Sequence, residues 1–374
     1  MIYFHIPFCK QKCSYCNFHF STSLTHKDAL LQAIHTELDL RHTELDEKPI
    51  QSIYFGGGTP SLLEVDELSK LLEQTQRYFD WDKSIEITLE ANPDDLSAPF
   101  LKALAKTPIN RLSIGTQSFF TDDLVLMNRA HTAGEALDSI KRSQDYGFEN
   151  LSIDLIYGAM TSSMEIWESN LKTARSLEVP HISAYALTVE PKTVLSHWVQ
   201  EKIVPAPSQA LQNDQFHYMA QYLKREGLSH YEISNFALPG YESRHNSAYW
   251  NYSPYLGLGP SAHSYDGKSR RCWSVANNTQ YIKSLAQGSL PLEIELLEEK
   301  DRYNEMLMIG LRTKKGVDLS RLKTEFSSEL LAHFGNELTP KIDNGYLEIQ
   351  GDYLVIPSEH WFMADGIASD LFKV

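Results

Sequence analysis

The sequence predicts an α/β protein: a (β/α) barrel, complete or partial, followed by a small winged-helix-like α+β domain. Three observations predict it. Six short β-branched, apolar runs alternate with amphipathic stretches up to about residue 190. Polar residues and glycines gather just after each run, at the end where parallel α/β folds build their sites. Beyond residue 290 the pattern changes to helices followed by a hairpin.

The runs are, in order, "IYFHI", "SIYFGGGTP", "SIEITLEANP", "RLSIGTQS", "LSIDLIYG" and "HISAYALT". Helical spacing between them places Leu31, Ile34 and Leu38 on one face, and likewise Leu68, Leu71 and Leu72. Capping boxes are expected at Ser61 with Glu64, Thr132 with Glu135 and Ser162 with Glu165. Strand–helix alternation implies parallel strands with right-handed crossovers, and further units are expected to about residue 235. This divides the chain into a barrel over residues 1–235, a connecting segment over 236–290 and a C-terminal domain over 291–374. In that last domain "RYNEMLMIGLRTKKGVDLSRLKTEF" reads as two helices around Gly316, and "GYLEIQGDYLVIP" as a hairpin turning at Gly351.

Composition narrows the function classes. The 374 residues are 42% hydrophobic and 22% charged, as in an ordinary globular protein. Thirty-four basic against 49 acidic residues give −15, which disfavours a nucleic-acid partner held by counterion release. Winged helices often bind DNA, but residues 291–374 carry 9 basic and 16 acidic side chains, net −7. Packing on the barrel or gating its mouth is the expected role. No run has the length of a membrane span, and no signal-peptide pattern precedes "IYFHIPF", so a cytoplasmic location is expected.

Three of the four cysteines, Cys9, Cys13 and Cys16, stand in a C-x3-C-x2-C spacing. Disulfides are disfavoured in a reducing compartment, and three is an odd number. A structural zinc site asks for a second ligand pair, which His19, His26 and Cys272 do not form in sequence. Three thiolates on a four-iron cluster instead leave one iron open to a chelating small molecule. Cys272 reads as a buried or incidental thiol. The glycines of "FGGGTP" let the backbone approach a ligand closely. Glu90, Gln117, Arg129 and Asp154 sit after successive strands, which a barrel brings to one mouth. Each taken singly is as readily a satisfied structural hydrogen bond or ion pair.

The cysteine spacing before a series of βα units resembles the radical S-adenosylmethionine (SAM) superfamily, which implies its partial, TIM-type barrel. The resemblance implies a [4Fe–4S] cluster on Cys9, Cys13 and Cys16, with the open iron chelating the methionine end of SAM. It also implies SAM contacts from Tyr3, Tyr15, Gly57, Gly58, Thr59, Glu90, Gln117, Arg129, Asp154, Ala186 and His263. The motifs "YFHIPFC", "FGGGTP", "NR.H" and "DLIYG" are similar to those of the oxygen-independent coproporphyrinogen III oxidase group. True oxidases in that group carry a fourth cysteine where this chain has Phe18, and a longer N-terminal extension. Both departures argue against the decarboxylating activity. His245-Asn246-x-x-Tyr249-Trp250 resembles the signature of the heme-chaperone branch, the HemW family. That implies heme as ligand and cargo, His245 as an iron ligand, His263 as a further candidate, and acceptor proteins that the sequence does not name. It leaves room for a flavodoxin- or ferredoxin-type reductant and for peripheral membrane contact. The oxidase is the alternative reading, and a radical enzyme on an unrelated substrate is a third.

Overall fold

Alternation within the first six strands explains both the barrel wall and what it encloses. The computed structural model describes residues 1–45 and 49–374. Strands β1 (Ile2–Ile6), β2 (Ser52–Gly57), β3 (Glu86–Ala91), β4 (Arg111–Gln117), β5 (Asn150–Tyr157) and β6 (His181–Ala186) run parallel, each beside the next. Between them lie α1 (Lys27–Arg41), α2 (Val65–Tyr78), α3 (Ala98–Leu104), α4 (Thr121–Leu126), α5 (Ala133–Asp145) and α6 (Met164–Ser176). One parity of the strands (Ile2, Phe4, Ile53, Phe55, Ile87, Leu89, Leu112, Ile114) is fully buried in one apolar core with Leu30, Ile34, Leu38, Leu68 and Leu71 of the helices. The opposite parity is polar: Tyr3, Tyr54, Thr88 and Arg111 form one register row across four strands. Successive strand side chains point to opposite faces. A parallel sheet packed on both faces reads as continuous apolar sequence, so this alternation is the trace of a polar lumen.

The expected βα units beyond residue 190 do not form. Helices α7 (Val194–Gln200) and α8 (Gln209–Arg225) lead instead into a hairpin of β7 (Ser229–Glu232) and β8 (Asn235–Ala237), and β8 runs antiparallel to β6. Only Ile233 and Ser234 separate those strands, whereas a parallel connection needs a crossover of roughly a dozen residues. After α9 (Arg244–Trp250), β9 (Leu256–Leu258) joins the other edge parallel to β1. The order β7-β8-β6-β5-β4-β3-β2-β1-β9 leaves the barrel partial.

Two of the three capping boxes shift. Thr132–Glu135 caps α5 as expected. Ser61 lies instead in a 3-10 turn, its hydroxyl donating to Asp95, and Glu64 with Glu67 caps α2. Ser163, not Ser162, caps α6 by accepting from the Ile166 N–H. Tertiary partners take both expected caps: Ser61 donates to Asp95 and Ser162 accepts from Gln215.

A second sheet follows, β10 (His263–Tyr265), β11 (Arg270–Ser274) and β12 (Leu292–Leu296), with α10 (Asn278–Ala286) against α1. Residues 236–290 thus end β8, add β9 to the main sheet and supply β10 and β11. A buried charge network ties the two sheets. Arg41 and Glu37 are fully buried and paired at 2.7 Å, and the guanidinium also donates to Gly257 O (3.0 Å) and Ser264 Oγ (3.0 Å). The Cys272 thiol lies buried beside it, 3.4 Å from Arg41 Nη2.

The C-terminal domain packs α11 (Glu299–Leu311), α12 (Leu319–Glu325) and α13 (Ser328–Asp343) with the small sheet β13 (Val317–Asp318), β14 (Glu348–Gln350) and β15 (Tyr353–Val355), and ends in α14 (Ala364–Ser369). Gly351 turns the hairpin at positive φ. The domain seals the β7 edge through Ile233 N–H to Arg312 O (2.9 Å) and Lys314 N–H to Tyr231 O (3.0 Å). Among the described residues no helix is long and apolar enough to cross a membrane.

Candidate active site and cofactor cradle

The loop after β1 holds all three clustered cysteines, and backbone bonds pin it to the barrel at several points. Cys9 N–H donates to Ser21 O (3.0 Å), Ser14 N–H to Met127 O (3.1 Å) and Leu195 N–H to Ser14 O (2.8 Å). Asn128, at φ +53, donates from its amide to Lys12 O at 2.7 Å. Gly58 N–H donates to Ile6 O (2.9 Å) and Thr59 N–H to Phe8 O (2.6 Å), so the glycine loop and the cysteine loop are one unit. A Cβ on Gly58 would stand 2.6 Å from Phe8 O, and one on Gly57 2.5 Å from the His5 ring. Gly57 also sits at φ +103. Only glycine fits either position.

Both loops open onto a cavity of ≈ 840 Å³. Its lining includes Cys9, Cys13, Tyr15, Cys16, Gly57, Gly58, Thr59, Glu90, Gln117, Arg129, Asp154 and Ala186. These are twelve of the fifteen positions singled out from the sequence. Gln117 is held at φ +64 beside an irregularity in the β4–β5 register, local strain of the kind that accumulates at sites.

Arg129 is the central cation. It donates to Cys13 Sγ (3.2 Å), Asn92 Oδ1 (2.6 Å) and Gly115 O (2.8 Å), while its Nε has no partner. Glu90 accepts from Tyr54 OH (2.8 Å) and Gly57 N–H (3.2 Å). Burial pushes the Glu90 carboxyl up to about 7 and Asp154 up to about 6, with hydrogen bonds from Tyr54, and from Ser183 and Ser113, opposing. Burial likewise pushes the Cys9 thiol up to about 11. A metal that takes these thiols therefore displaces protons.

The donor set fits a cluster with SAM. Three thiols face one cavity beside a free guanidinium N–H, a backbone cradle that excludes any Cβ, and two carboxylates. Among the described residues no three His, Cys, Asp or Glu side chains form a group for one metal ion. A cluster takes one thiolate per iron and does not need that convergence.

The other side of the cavity is lined by residues that carried no signal in the sequence, although the C-terminal domain was expected at the barrel mouth. Phe216 of α8, Ile233, Arg312, Trp361, Phe362 and Asp365 line it, so the C-terminal domain helps to build the site. Arg312 pairs with Asp365 through Nε (2.6 Å) and Nη2 (2.5 Å), and Glu232 lies buried nearby, pushed up to about 7 by that burial. Phe18 stands on the rim, 70% exposed. Asn92, inside the "LEANP" motif, was legible in kind as a polar residue at a strand end. Trp361 and Arg312 carried no local signal.

Tyr3, His245 and His263 lie outside this cavity. Tyr3 faces the lumen, its hydroxyl 3.1 Å from His5 Nδ1. His245 is 1% exposed, and its ring meets Ser52 Oγ at 2.9 Å and Tyr249 OH at 3.1 Å. Glu86 accepts from the Arg244 and His245 N–H groups, both at 3.0 Å. Ser52 and Glu86 begin β2 and β3, so His245 sits at the end of the strands opposite the cysteines, with both ring nitrogens engaged. His263 is exposed on the second sheet.

The radical SAM superfamily model matches residues 3–173, and the HemN C-terminal domain model residues 297–362. The heme chaperone HemW of Lactococcus lactis is 34% identical over 92% of this chain and 90% of its own. That of Bacillus subtilis is 33% identical over 92% of each. The bovine mitochondrial radical S-adenosyl methionine domain-containing protein 1 is 32% identical over 88% of this chain and 72% of its own. Among solved structures, Escherichia coli coproporphyrinogen III oxidase superposes with a TM-score of 0.85 at 22% identity, covering 100% of this chain and 89% of that one. It shares the fold.

Proposed function

The chain belongs to the heme chaperone HemW family, and on that premise we propose that it binds heme and delivers it to acceptor proteins in the cytoplasm. The observation that carries this reading is near-full-length identity above 30% to several heme chaperones. The radical SAM family brings a [4Fe–4S] cluster and SAM, and Cys9, Cys13 and Cys16 are the thiols to hold the cluster. When bound, the cluster supplies an open iron for the methionine end of SAM and an electron for its sulfonium.

The chain's own residues divide the remaining work. Gly57, Gly58 and Thr59 bring backbone groups to the methionine amine. Arg129 has a free Nε for the methionine carboxylate. Glu90, Gln117 and Asp154 line the cavity where they would meet the ribose and the positive charge, and Tyr15 and Ala186 would wall the adenosyl group from water. In this role these residues would serve regulation of heme transfer or oligomerisation rather than conventional turnover. A flavodoxin- or ferredoxin-type reductant would meet the rim around the cysteine loop, and a membrane-bound acceptor would require only peripheral contact.

The alternative is coproporphyrinogen III oxidation, favoured by the shared fold and by an apolar flank suited to a porphyrinogen. Phe18, where oxidases carry a fourth cysteine, disfavours it. Anaerobic reconstitution of the cluster, followed by assay with coproporphyrinogen III and SAM, separates the two. Chaperone function predicts no protoporphyrinogen, and its formation with 5′-deoxyadenosine would refute the proposal.

A further inference from the structure

We propose that heme iron is taken by His263, on the outer face of the second sheet, and not by His245 of the HNxxYW motif; this rests on the heme-binding reading above. An axial imidazole needs a free nitrogen lone pair and open flanks for a macrocycle about 10 Å or more across. His245 offers neither. It is buried, both ring nitrogens are hydrogen-bonded, and its backbone is pinned by Glu86. Binding there demands that α9 leave its seat.

His263 meets both requirements as it stands. It is exposed, and among the described residues neither of its ring nitrogens has a hydrogen-bond partner. Its ring stacks on Trp273, its register partner on β11, at 5.6 Å and 27°. Partial burial, then the nearby Arg271, lower its pKa, so the imidazole is neutral at pH 7 as ligation requires. The backbone is closely packed: a Cβ on Gly257 would lie 2.0 Å from His263 O, so β9 and β10 approach as closely as glycine allows.

Strand alternation places Tyr265 and Arg271 on the same outer face, two register pairs away. A porphyrin ligated by His263 would lie over this aromatic pair, with a propionate exchanging for the Glu295 carboxylate that Arg271 now holds at 2.7 Å. His26 and His197 are also exposed, but among the described residues neither has a ring stacked on it. His19 is engaged with Asn278 Oδ1 at 2.7 Å.

The position also explains how cofactor state could reach the cargo. His5 lies between the two features: its ring is 6.4 Å from that of His19, its Nε2 bonds His19 O at 3.2 Å, and it feels His263 electrostatically. His19 follows Cys16 by three residues. Heme on His263 would therefore sit beside the exit of the cysteine loop.

The test is a hemin titration of the full chain as wild type, His263→Ala, Trp273→Ala and His245→Gln, read by Soret and electron paramagnetic resonance spectra. His263→Ala should lose the imidazole-ligated spectrum and bind about tenfold or more weakly, and free imidazole should restore the spectrum. Trp273→Ala should weaken binding with the ligation intact. His245→Gln, scored on protein whose circular dichroism matches wild type, should keep the wild-type spectrum. An unchanged spectrum in His263→Ala, or its loss in folded His245→Gln, overturns the inference. Failure of the wild type itself to ligate hemin refutes the heme-binding reading instead.

Discussion

Replacing Glu90 with glutamine should make the cofactor-free protein more stable at pH 8 while weakening its hold on SAM. The Glu90 carboxyl stands at about 7 in the folded protein against an ordinary value near 4.5. A raised carboxyl means that the folded chain keeps a proton the unfolded chain has lost. Stability therefore falls as pH rises from about 4.5 to 7 and stays lowered above that. A displacement of that size corresponds to roughly 3 kcal/mol, and the side chain's opening onto the cavity trims this to about 2–3 kcal/mol. Glutamine still accepts from Tyr54 OH, but an amide nitrogen facing the Gly57 N–H forfeits one hydrogen bond, about 1 kcal/mol. The net expectation is a gain of about 1–2 kcal/mol at pH 8 that vanishes or reverses near pH 5. Urea denaturation of wild type and Glu90→Gln at both pH values measures this. The same variant should bind S-adenosylhomocysteine less tightly. A stability difference that does not change between pH 5 and pH 8 would show that Glu90 carries no burial penalty, and the electrostatic description of the cavity floor would be wrong.

Arg41→Ala leaves Glu37 buried without its cation and should cost about 3–5 kcal/mol in denaturation experiments, with the second sheet loosening first in hydrogen exchange. Gly58→Ala places a Cβ against the Phe8 backbone; it should lower cluster content per chain after reconstitution, counted as iron and sulfide, while far-ultraviolet circular dichroism stays near wild type. Arg129→Gln removes the charged partner of Cys13 and of the methionine carboxylate and should weaken SAM binding by about 10- to 100-fold in equilibrium dialysis.

Much of the fold and half of the site were legible because their signals are local. The six parallel strands show as alternating runs, and the same alternation separates helix-facing Ile53 and Phe55 from lumen-facing Tyr54. The cysteine spacing and the "FGGGTP" loop are contiguous, and the barrel does the rest by placing successive strand ends at one mouth. What sequence missed depends on contacts between distant segments. Arg312 and Trp361 reach the cavity only because the C-terminal domain seals β7. The hairpin there was missed because a two-residue turn reverses a strand that periodicity alone reads as another parallel one. His245 shows the limit most clearly. Its motif marks a residue type and spacing, but Ser52, nearly two hundred positions earlier, meets one ring nitrogen while Tyr249 of the motif meets the other, and Glu86 holds its backbone N–H.

A heme chaperone must both carry heme and give it up. The most direct measurement loads the reconstituted protein with hemin and mixes it anaerobically with an apo-hemoprotein such as apomyoglobin, following the Soret band with time. A heme carrier forms a ligated complex that saturates at a stoichiometric ratio and then passes its heme to the acceptor. A chain that shows no ligated spectrum, or that retains its heme in the presence of excess acceptor, would contradict it.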